Sequence, residues 1–206
     1  MQLIHKYFPH LSEEQTRQME ALDMLYHDWN SKINVISRKD IDSLYEHHVL
    51  HSLGIAMLIH FKPDTHIMDL GTGGGFPGIP LAIMFPDCHF RLIDGTGKKV
   101  RVAQEVADAI GLKNVEPVHR RGEEEKDKFD FVVSRAVMPL PDLVKIIRKN
   151  ISKTQHNAYP NGLFVLKGGN IAEETRPFAK LLQQTPITDL FDDEWFKEKY
   201  VLYLPL

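Results

Sequence analysis

The stretch that decides the fold reads His66-Ile67-Met68-Asp69-Leu70-Gly71-Thr72-Gly73-Gly74-Gly75-Phe76-Pro77-Gly78. An apolar run typical of a strand ends in an acid, passes through three glycines at alternate positions and enters a helix-like segment. Glycine adopts tight-turn backbone angles that other residues reach only at a cost, and its missing Cβ lets a ligand lie against the main chain. The stretch therefore predicts a strand, a turn and a helix start that hold a nucleotide-like ligand.

The spacing of the glycines limits which class of ligand the loop could bind. A dinucleotide-binding G-x-G-x-x-G pattern that starts at Gly71 requires glycine at position 76, where Phe76 stands. A second register, starting at Gly73, places Pro77 and Gly78 where the helix should already be running. The pattern acid-x-G-x-G-x-G, from Asp69 to Gly75, is instead the form seen in enzymes that bind S-adenosylmethionine on a Rossmann-like sheet. A glycine-rich structural turn is the simpler alternative.

Two helical patterns precede this stretch. Ser12-Glu13-Glu14-Gln15 is a capping box, and the apolar residues that follow at helical spacing are Met19, Leu22, Tyr26 and Trp29. A second pattern runs from about Asp40 to Ile59 and stops at the turn sequence Lys62-Pro63-Asp64. We therefore expect residues 1–62 to form a helical N-terminal lobe and residues 63–206 to form the S-adenosylmethionine-binding domain.

Strands and helices alternate from Thr65 onward, which indicates a parallel sheet with right-handed crossovers. The predicted strands are Ile67-Met68, Cys88 to Asp94, Val115 to Val118, Phe129 to Ser134 and Leu163 to Leu166. The predicted helices between them are Ile79 to Phe85, Lys98 to Ile110 with Gly111 as its C-terminal cap, and about Leu140 to Asn150. Ile171 to Leu182 predicts a further helix, and Tyr200 to Leu206 a last strand, hairpinned with a segment near Ile187 to Phe191. The predicted fold class is α/β, with a mostly parallel sheet and an antiparallel last strand.

Composition limits the classes of protein. The 206 residues are 43% hydrophobic, which is ample for a buried core, and the single Cys88 excludes a disulfide framework and fits a reducing compartment. No run approaches the length of a membrane span, so we expect a cytoplasmic protein that does not contact a membrane. The formal charge of -3 argues against nonspecific coating of nucleic acid but permits a local basic face.

The residues that follow each predicted strand should meet at one edge of the sheet. Asp94, which lies 25 positions after Asp69, is placed to accept hydrogen bonds from both ribose hydroxyls of a nucleoside, although it could simply initiate a turn. Gly122 and Glu123 follow strand three and could meet the adenine edge, but Glu123 also opens an acidic run that could be a solvated loop.

Arg135 follows strand four, and its planar fork suits a methionine carboxylate or an RNA phosphate, with a structural ion pair as the alternative. Lys167, with Gly168 and Gly169, suggests close approach of a substrate backbone, although a simple turn would look the same. No cluster of Asp, Glu or Cys joins His47, His48 and His51, so we expect no metal site.

The chemistry is narrowed by missing residues. Methylation of a pyrimidine ring carbon calls for a cysteine near strand four or five, whereas Cys88 precedes strand two. Methylation of an exocyclic amine usually accompanies an Asn/Asp-Pro-Pro-aromatic loop, whereas Ser134-Arg135-Ala136-Val137 occupies that place. Guanine N7 instead offers an in-plane lone pair with no proton to remove, so a catalyst need only align it with a methyl donor in a dry pocket.

Together these residues resemble a known family, the bacterial small-subunit (16S) ribosomal RNA guanine-N7 methyltransferases, methyltransferase G, also called glucose-inhibited division protein B. The resemblance covers nearly the whole chain and rests on these motifs: Trp29-Asn30 with Asn34 and Asp40, His48 with Ser52, Asp69 to Pro80, Asp94 with Lys98-Lys99, Arg121-x-Glu123, Ser134-Arg135-Ala136 and Lys167-Gly168. The chain departs from the family pattern at His51, where aspartate is frequent, and at Gly122, where alanine or valine is usual.

The resemblance implies a Rossmann-like class I S-adenosylmethionine-dependent methyltransferase fold and methyl transfer to a guanine in the decoding-region loop of small-subunit rRNA. It also implies cofactor contacts, which together with the glycine pattern comprise Gly71, Gly73, Gly75, Phe76, Asp94, Gly122, Glu123 and Arg135. The expected partner is small-subunit rRNA or its assembling ribonucleoprotein, and no DNA.

The leading hypothesis is thus an rRNA methyltransferase that acts by positioning, with no acid-base residue, metal or covalent intermediate. Cations expected to face RNA are Lys98, Lys99, Arg101, Arg120, Arg121, Arg135 and Lys167. Three alternatives stay open: a small-molecule methyltransferase, a binding protein that only chaperones ribosome assembly, and a nicotinamide oxidoreductase.

Overall fold

Seven strands form a single sheet in a computed structural model that describes residues 1–135 and 137–206. The strands are β1 (His66–Leu70), β2 (His89–Asp94), β3 (Val115–His119), β4 (Phe131–Arg135), β5 (Gly162–Gly168), β6 (Gln183–Pro186) and β7 (Lys199–Pro205). Their order across the sheet is β3-β2-β1-β4-β5-β7-β6. The first five run parallel, and β7 is antiparallel to both β5 and β6. The mostly parallel sheet with an antiparallel last strand is confirmed.

The helices flank this sheet and precede it. They are α1 (Gln2–Tyr7), α2 (Glu13–Lys32), α3 (His51–Leu53), α4 (Gly78–Met84), α5 (Gly97–Ala109), α6 (Leu140–Ile147) and α7 (Ala172–Thr175). The predicted capping box of α2 is confirmed, because Ser12 Oγ accepts from the Gln15 amide at 3.2 Å and Gln15 Oε1 accepts from the Ser12 amide at 2.9 Å. Gly111 follows the end of α5 with φ +73°, as its predicted cap position requires.

The second N-terminal pattern does not form one regular α-helix. A 3-10 turn (Ile41–Ser43) is followed by a π-helical segment (Tyr45–Leu50) that runs directly into α3. Apolar periodicity cannot distinguish these forms here, because the 3-10 segment has 3 residues and the π-helical segment 6, too few to show a period. We call residues 45–53 the histidine segment, since it carries His47, His48 and His51.

Two predictions about the C-terminal part are wrong. The helix expected over Ile171 to Leu182 is limited to α7 and the 3-10 turn Arg176–Phe178, because Pro177 has no N–H to donate and disfavours a longer helix. The partner of the last strand is β6, and the expected segment instead begins with the 3-10 turn Ile187–Asp189. β6 reads Gln-Gln-Thr-Pro, a polar edge strand without apolar alternation, so the pattern gave no signal for it.

Apolar side chains cover both faces of the sheet. One face, with Phe90, Phe131 and Phe164, lies in the same buried cluster as Met19 and Leu22 of α2. The buried residues of the other face belong to a second cluster, shared with α6 and with Ile171 just before α7: Met68, Ile93, Val132, Leu163 and Leu202. This alternation follows the period of two along each strand. Because one cluster joins both proposed units, the division at residues 62 and 63 remains a prediction.

Candidate functional site

The glycine loop follows β1 at the carboxyl edge of the sheet. Gly71, Gly73 and Gly75 have φ values of +71°, +59° and +114°, in the left-handed region that favours glycine. The amides of Gly71 and Thr72 donate to the carbonyl of Ile93 at 2.8 and 3.0 Å, which ties the loop to β2. The three glycines are therefore required by backbone conformation.

Asp69, at the acid position of the motif, is fully buried beneath the loop. Its Oδ2 accepts from Thr72 Oγ1 at 2.7 Å and from the Gly78 amide at 2.8 Å. Burial raises the pKa of this carboxyl group to about 7, while the two hydrogen bonds oppose the rise. Asp69 thus joins the glycine loop to the start of α4.

Asp94 ends β2 beside the loop. Its Oδ2 accepts from the Gly73 amide at 3.0 Å, and its Oδ1 accepts from the Thr96 amide at 2.8 Å. A cavity of about 340 Å³ opens here, with Gly71, Asp94 and Gly122 in its lining. A Cβ on Gly73 would meet no atom within 4 Å, so this face of the loop is open. The open glycine, the cavity and the carboxylate together form a cradle that fits a nucleoside.

Gly122 and Glu123, which follow β3, line the same cavity as Gly71 and Asp94. Gly122 packs closely, since a Cβ there would lie 2.6 Å from Leu70 Cδ1. Glu123 is exposed, whereas Glu125 is buried and accepts from Arg120 Nη1 at 2.8 Å. Within the acidic run, Glu123 therefore lies at the cavity, whereas Glu125 belongs to a structural ion pair.

Phe76 and Arg135 meet on the other side of the glycine loop, toward the N-terminal helices. The Phe76 ring is buried, and its centroid lies 5.2 Å from the guanidinium carbon of Arg135 and 4.7 Å from the ring centroid of Tyr26. The Tyr26 hydroxyl donates to the Gly74 carbonyl at 2.8 Å. Burial lowers the pKa of Arg135 to about 10, a value at which the guanidinium still carries its charge near neutral pH.

Sequence reasoning missed the role of the N-terminal segment in shaping this site. It placed Tyr26 only in an apolar stripe, although a buried tyrosine hydroxyl needs a hydrogen-bond partner and thus signals a contact. Val35 also covers the loop, since a Cβ on Gly74 would lie 2.9 Å from the Val35 side chain. Asn30 Oδ1 accepts from the amides of Val35 and Ile36 at 2.9 Å each and so fixes this cover.

The predicted RNA-facing cations differ in their environment. Lys98 and Lys99 lie in the first turn of α5, and Arg121 is an exposed residue of the cavity lining. Lys167 is buried, and its ammonium donates to the Met138 carbonyl at 2.6 Å and to Glu174 Oε2 at 2.8 Å. The structure therefore does not bring Lys167 to the open part of the site. Ala136 of the Ser-Arg-Ala motif lies outside the described residues.

Within residues 1–135 and 137–206, no group of three or more His, Cys, Asp or Glu side chains could hold a metal ion. No helix in the same ranges is both long enough and apolar enough to cross a bilayer.

Comparison with known proteins identifies one group of relatives. The family described as GidB, rRNA small subunit methyltransferase G, matches residues 15–192. A ribosomal RNA small subunit methyltransferase G of Phocaeicola vulgatus is 65% identical, and the alignment covers 100% of this chain and 99% of the relative. The protein of the same name from Cytophaga hutchinsonii is 50% identical over 100% of this chain and 99% of its own length.

Solved structures agree on the fold. MtNAS in complex with S-adenosylmethionine has a TM-score of 0.58 at 11% identity, covering 93% of this chain and 76% of that one. A 16S rRNA N2 methyltransferase of T. thermophilus, in complex with AdoMet and guanosine, has a TM-score of 0.55 at 17% identity, covering 84% of this chain and 44% of that one. These likenesses confirm the Rossmann-like class I fold of S-adenosylmethionine-dependent methyltransferases.

Proposed function

Because this chain belongs to the GidB family of rRNA small subunit methyltransferase G, we propose that it methylates N7 of a guanine in the decoding-region loop of small-subunit rRNA. The family assignment makes the chain an S-adenosylmethionine-dependent methyltransferase whose substrate is small-subunit rRNA. The position of the methyl group and the loop that receives it are our proposal. The observation that carries it is the open glycine loop beside Asp94, at a cavity whose lining includes the exposed Arg121.

We assign the cofactor to the cradle formed by this loop. Asp94 would accept hydrogen bonds from the ribose hydroxyls, and the backbone of Gly71 and Gly73 would lie against the ligand. Gly122 and Glu123 would border the adenine, and Arg135 would hold the methionine carboxylate. Gly75 and Phe76 would act by shaping the loop, since the Phe76 ring is itself buried.

The residues of the site suit a reaction that needs alignment more than proton transfer. When bound, S-adenosylmethionine supplies an electrophilic methyl group on its sulfonium centre. Guanine N7 carries a lone pair in the plane of the ring and no proton, so no general base is needed. Asp69 is already engaged by Thr72 and Gly78 beneath the loop, which leaves it a structural role. The chain would therefore act by orienting the two reactants and excluding water.

We propose that RNA approaches over Arg121, which lines the cavity, and over Lys98 and Lys99 in the first turn of α5. Exposed cations bind phosphates and position the nucleic acid without reading its bases. Lys167 is left out of this surface because its ammonium is held by Glu174 and Met138. We place the reaction in the cytoplasm, on naked rRNA or on an assembling ribonucleoprotein, with no role for DNA or membranes.

A labelling assay tests this function. The purified chain would be incubated with methyl-labelled S-adenosylmethionine and with undermethylated small-subunit RNA, either naked or in assembling particles. We expect label in the RNA, released as N7-methylguanine after hydrolysis. Absence of label in every assembly state, or label on another atom, would overturn the proposal. Label in a metabolite but not in RNA would instead support a small-molecule methyltransferase.

A further inference from the structure

The histidine segment supplies the partners of Arg135. Arg135 Nη2 lies 3.0 Å from His48 Nδ1, and Arg135 Nη1 donates to the His47 carbonyl at 3.3 Å. A guanidinium has donors only, so His48 Nδ1 must be the acceptor and must carry no proton. The tautomer of His48 is therefore set by Arg135, with the proton of the neutral ring on Nε2.

The surroundings keep His48 neutral and fixed. Burial, followed by the nearby charge of Arg135, lowers the pKa of His48 to about 3. Its ring centroid lies 5.3 Å from that of Phe76, the same ring that the Arg135 guanidinium covers at 5.2 Å. Phe76 therefore contacts both members of the hydrogen bond.

The backbone around His48 is held from two sides. Ser52 Oγ donates to the His48 carbonyl at 2.6 Å. The neighbouring His47 ring stacks on Trp195, with centroids 3.9 Å apart, and its Nδ1 lies 3.1 Å from Asp40 Oδ1. These contacts belong to a π-helical segment, a conformation that is rare and frequently found at functional sites.

One polar atom of His48 is left without a partner. Within the described ranges, its buried Nε2 finds no hydrogen-bond acceptor. A buried donor without a partner destabilises the fold, because it loses its hydrogen bond to water and gains none in return. This cost is not expected of a ring retained for packing alone, and it follows directly from the tautomer that Arg135 requires.

We propose that His48 is a positioning residue, which uses its unprotonated Nδ1 to set the guanidinium of Arg135 over Phe76 for cofactor binding. The inference rests on the proposed function, since it takes Arg135 as the group that holds the methionine carboxylate. It extends the site to the N-terminal segment, which contains none of the residues predicted from the glycine pattern. Arg135 is then oriented before the ligand arrives, so less rotamer entropy is lost on binding.

Three substitutions separate positioning from packing. In His48→Asn, an amide oxygen can stand near the place of Nδ1; in His48→Gln, the amide lies near the place of Nε2; and His48→Leu removes the acceptor. We expect the dissociation constant for S-adenosylmethionine to stay within about 3-fold in His48→Asn and to rise by about 10- to 100-fold in the other two, as loss of a hydrogen bond to a charged group implies. His60→Leu, at an exposed histidine, serves as the control and should leave it unchanged.

A double-mutant cycle with Arg135→Ala gives a readout that a packing role would not change. If His48 acts through Arg135, His48→Leu should weaken binding much less in the Arg135→Ala background than in the wild type. Equal losses in both backgrounds, or equal losses for His48→Asn and His48→Leu, would overturn the proposal.

Nitrogen NMR of the wild-type protein provides a test that needs no variant to fold. We expect the His48 ring to be protonated only on Nε2 between pH 5 and 8, and a proton on Nδ1 would contradict the proposal. Failure of the wild-type chain to bind S-adenosylmethionine or to label RNA would instead count against the proposed function. The two failures are therefore distinguishable.

Discussion

Gly73 has a left-handed backbone conformation and open space beside it. A substitution there can therefore distinguish an effect on ligand binding from an effect on folding stability. Gly111 offers a matched control, because it has φ +73° and also no atom within 4 Å of a built Cβ, but it lies at the end of α5. Gly73→Ala and Gly111→Ala should each cost about 1–2 kcal/mol of stability, the price of a left-handed non-glycine residue. Only Gly73→Ala should weaken S-adenosylmethionine binding, by at least about 10-fold. Calorimetric titration and denaturant unfolding of both variants check this, and equal affinities would refute the assignment of the loop.

The raised pKa of Asp69 leads to a prediction about how folding stability depends on pH. Its folded pKa of about 7 lies above the unfolded value of about 3.9, so the native state binds this proton more tightly. The resulting stabilisation is fully present below about pH 4 and is lost as the pH rises through 7. Asp69→Asn keeps an acceptor oxygen and cannot ionise. As the pH rises from 4 to 8, the free energy of unfolding of Asp69→Asn should therefore increase relative to that of the wild type, by up to a few kcal/mol.

Urea unfolding of both proteins at several pH values measures this gain. Taking the difference between the two proteins cancels the contributions of other groups, such as Glu46, whose pKa burial also raises to about 7. A difference that does not change with pH would contradict the account of Asp69.

Among the elements, helix α2 supports the glycine loop through one hydroxyl group. Tyr26→Phe removes the bond to the Gly74 carbonyl and leaves that buried acceptor unpaired, which should cost about 1–3 kcal/mol of stability. It should also weaken cofactor binding several-fold, because the loop loses a tie to the helix. Tyr45→Phe is the control, since that hydroxyl donates to the Met19 carbonyl at 3.0 Å, within α2 itself. If both variants keep wild-type affinity, α2 does not position the loop.

The elements also show which parts of the fold could be predicted. The glycine loop, the first five strands and α5 are encoded locally, through apolar period, glycines and caps, so the pattern identified them. β6 could not be found, because Gln183 and Gln184 form a strand only by pairing with β7. The contact between Arg135 and His48 joins residues 87 apart in sequence, and no local signal connects them. The cavity edge was thus predictable, whereas its support from the N-terminal segment was not.

At the scale of the whole molecule, a net charge of -3 requires that RNA be met by a local basic surface. Lys98→Ala and Arg121→Ala should each weaken RNA binding and reduce the slope of log affinity against log salt by about 1. Lys113→Ala, at an exposed lysine just before β3 and thus at the opposite edge of the sheet, should leave that slope unchanged. Filter binding across a salt series measures all three, and an equal effect of Lys113 would argue for diffuse attraction.

The central claim is methyl transfer to guanine N7, and one substrate tests it directly. Small-subunit RNA made with 7-deazaguanosine lacks that nitrogen but keeps the Watson–Crick edge and the exocyclic amine of guanine. Competition with ordinary RNA would establish that the chain still binds it. We predict full labelling of ordinary RNA and none of the 7-deaza RNA, and equal labelling of the two would contradict the account.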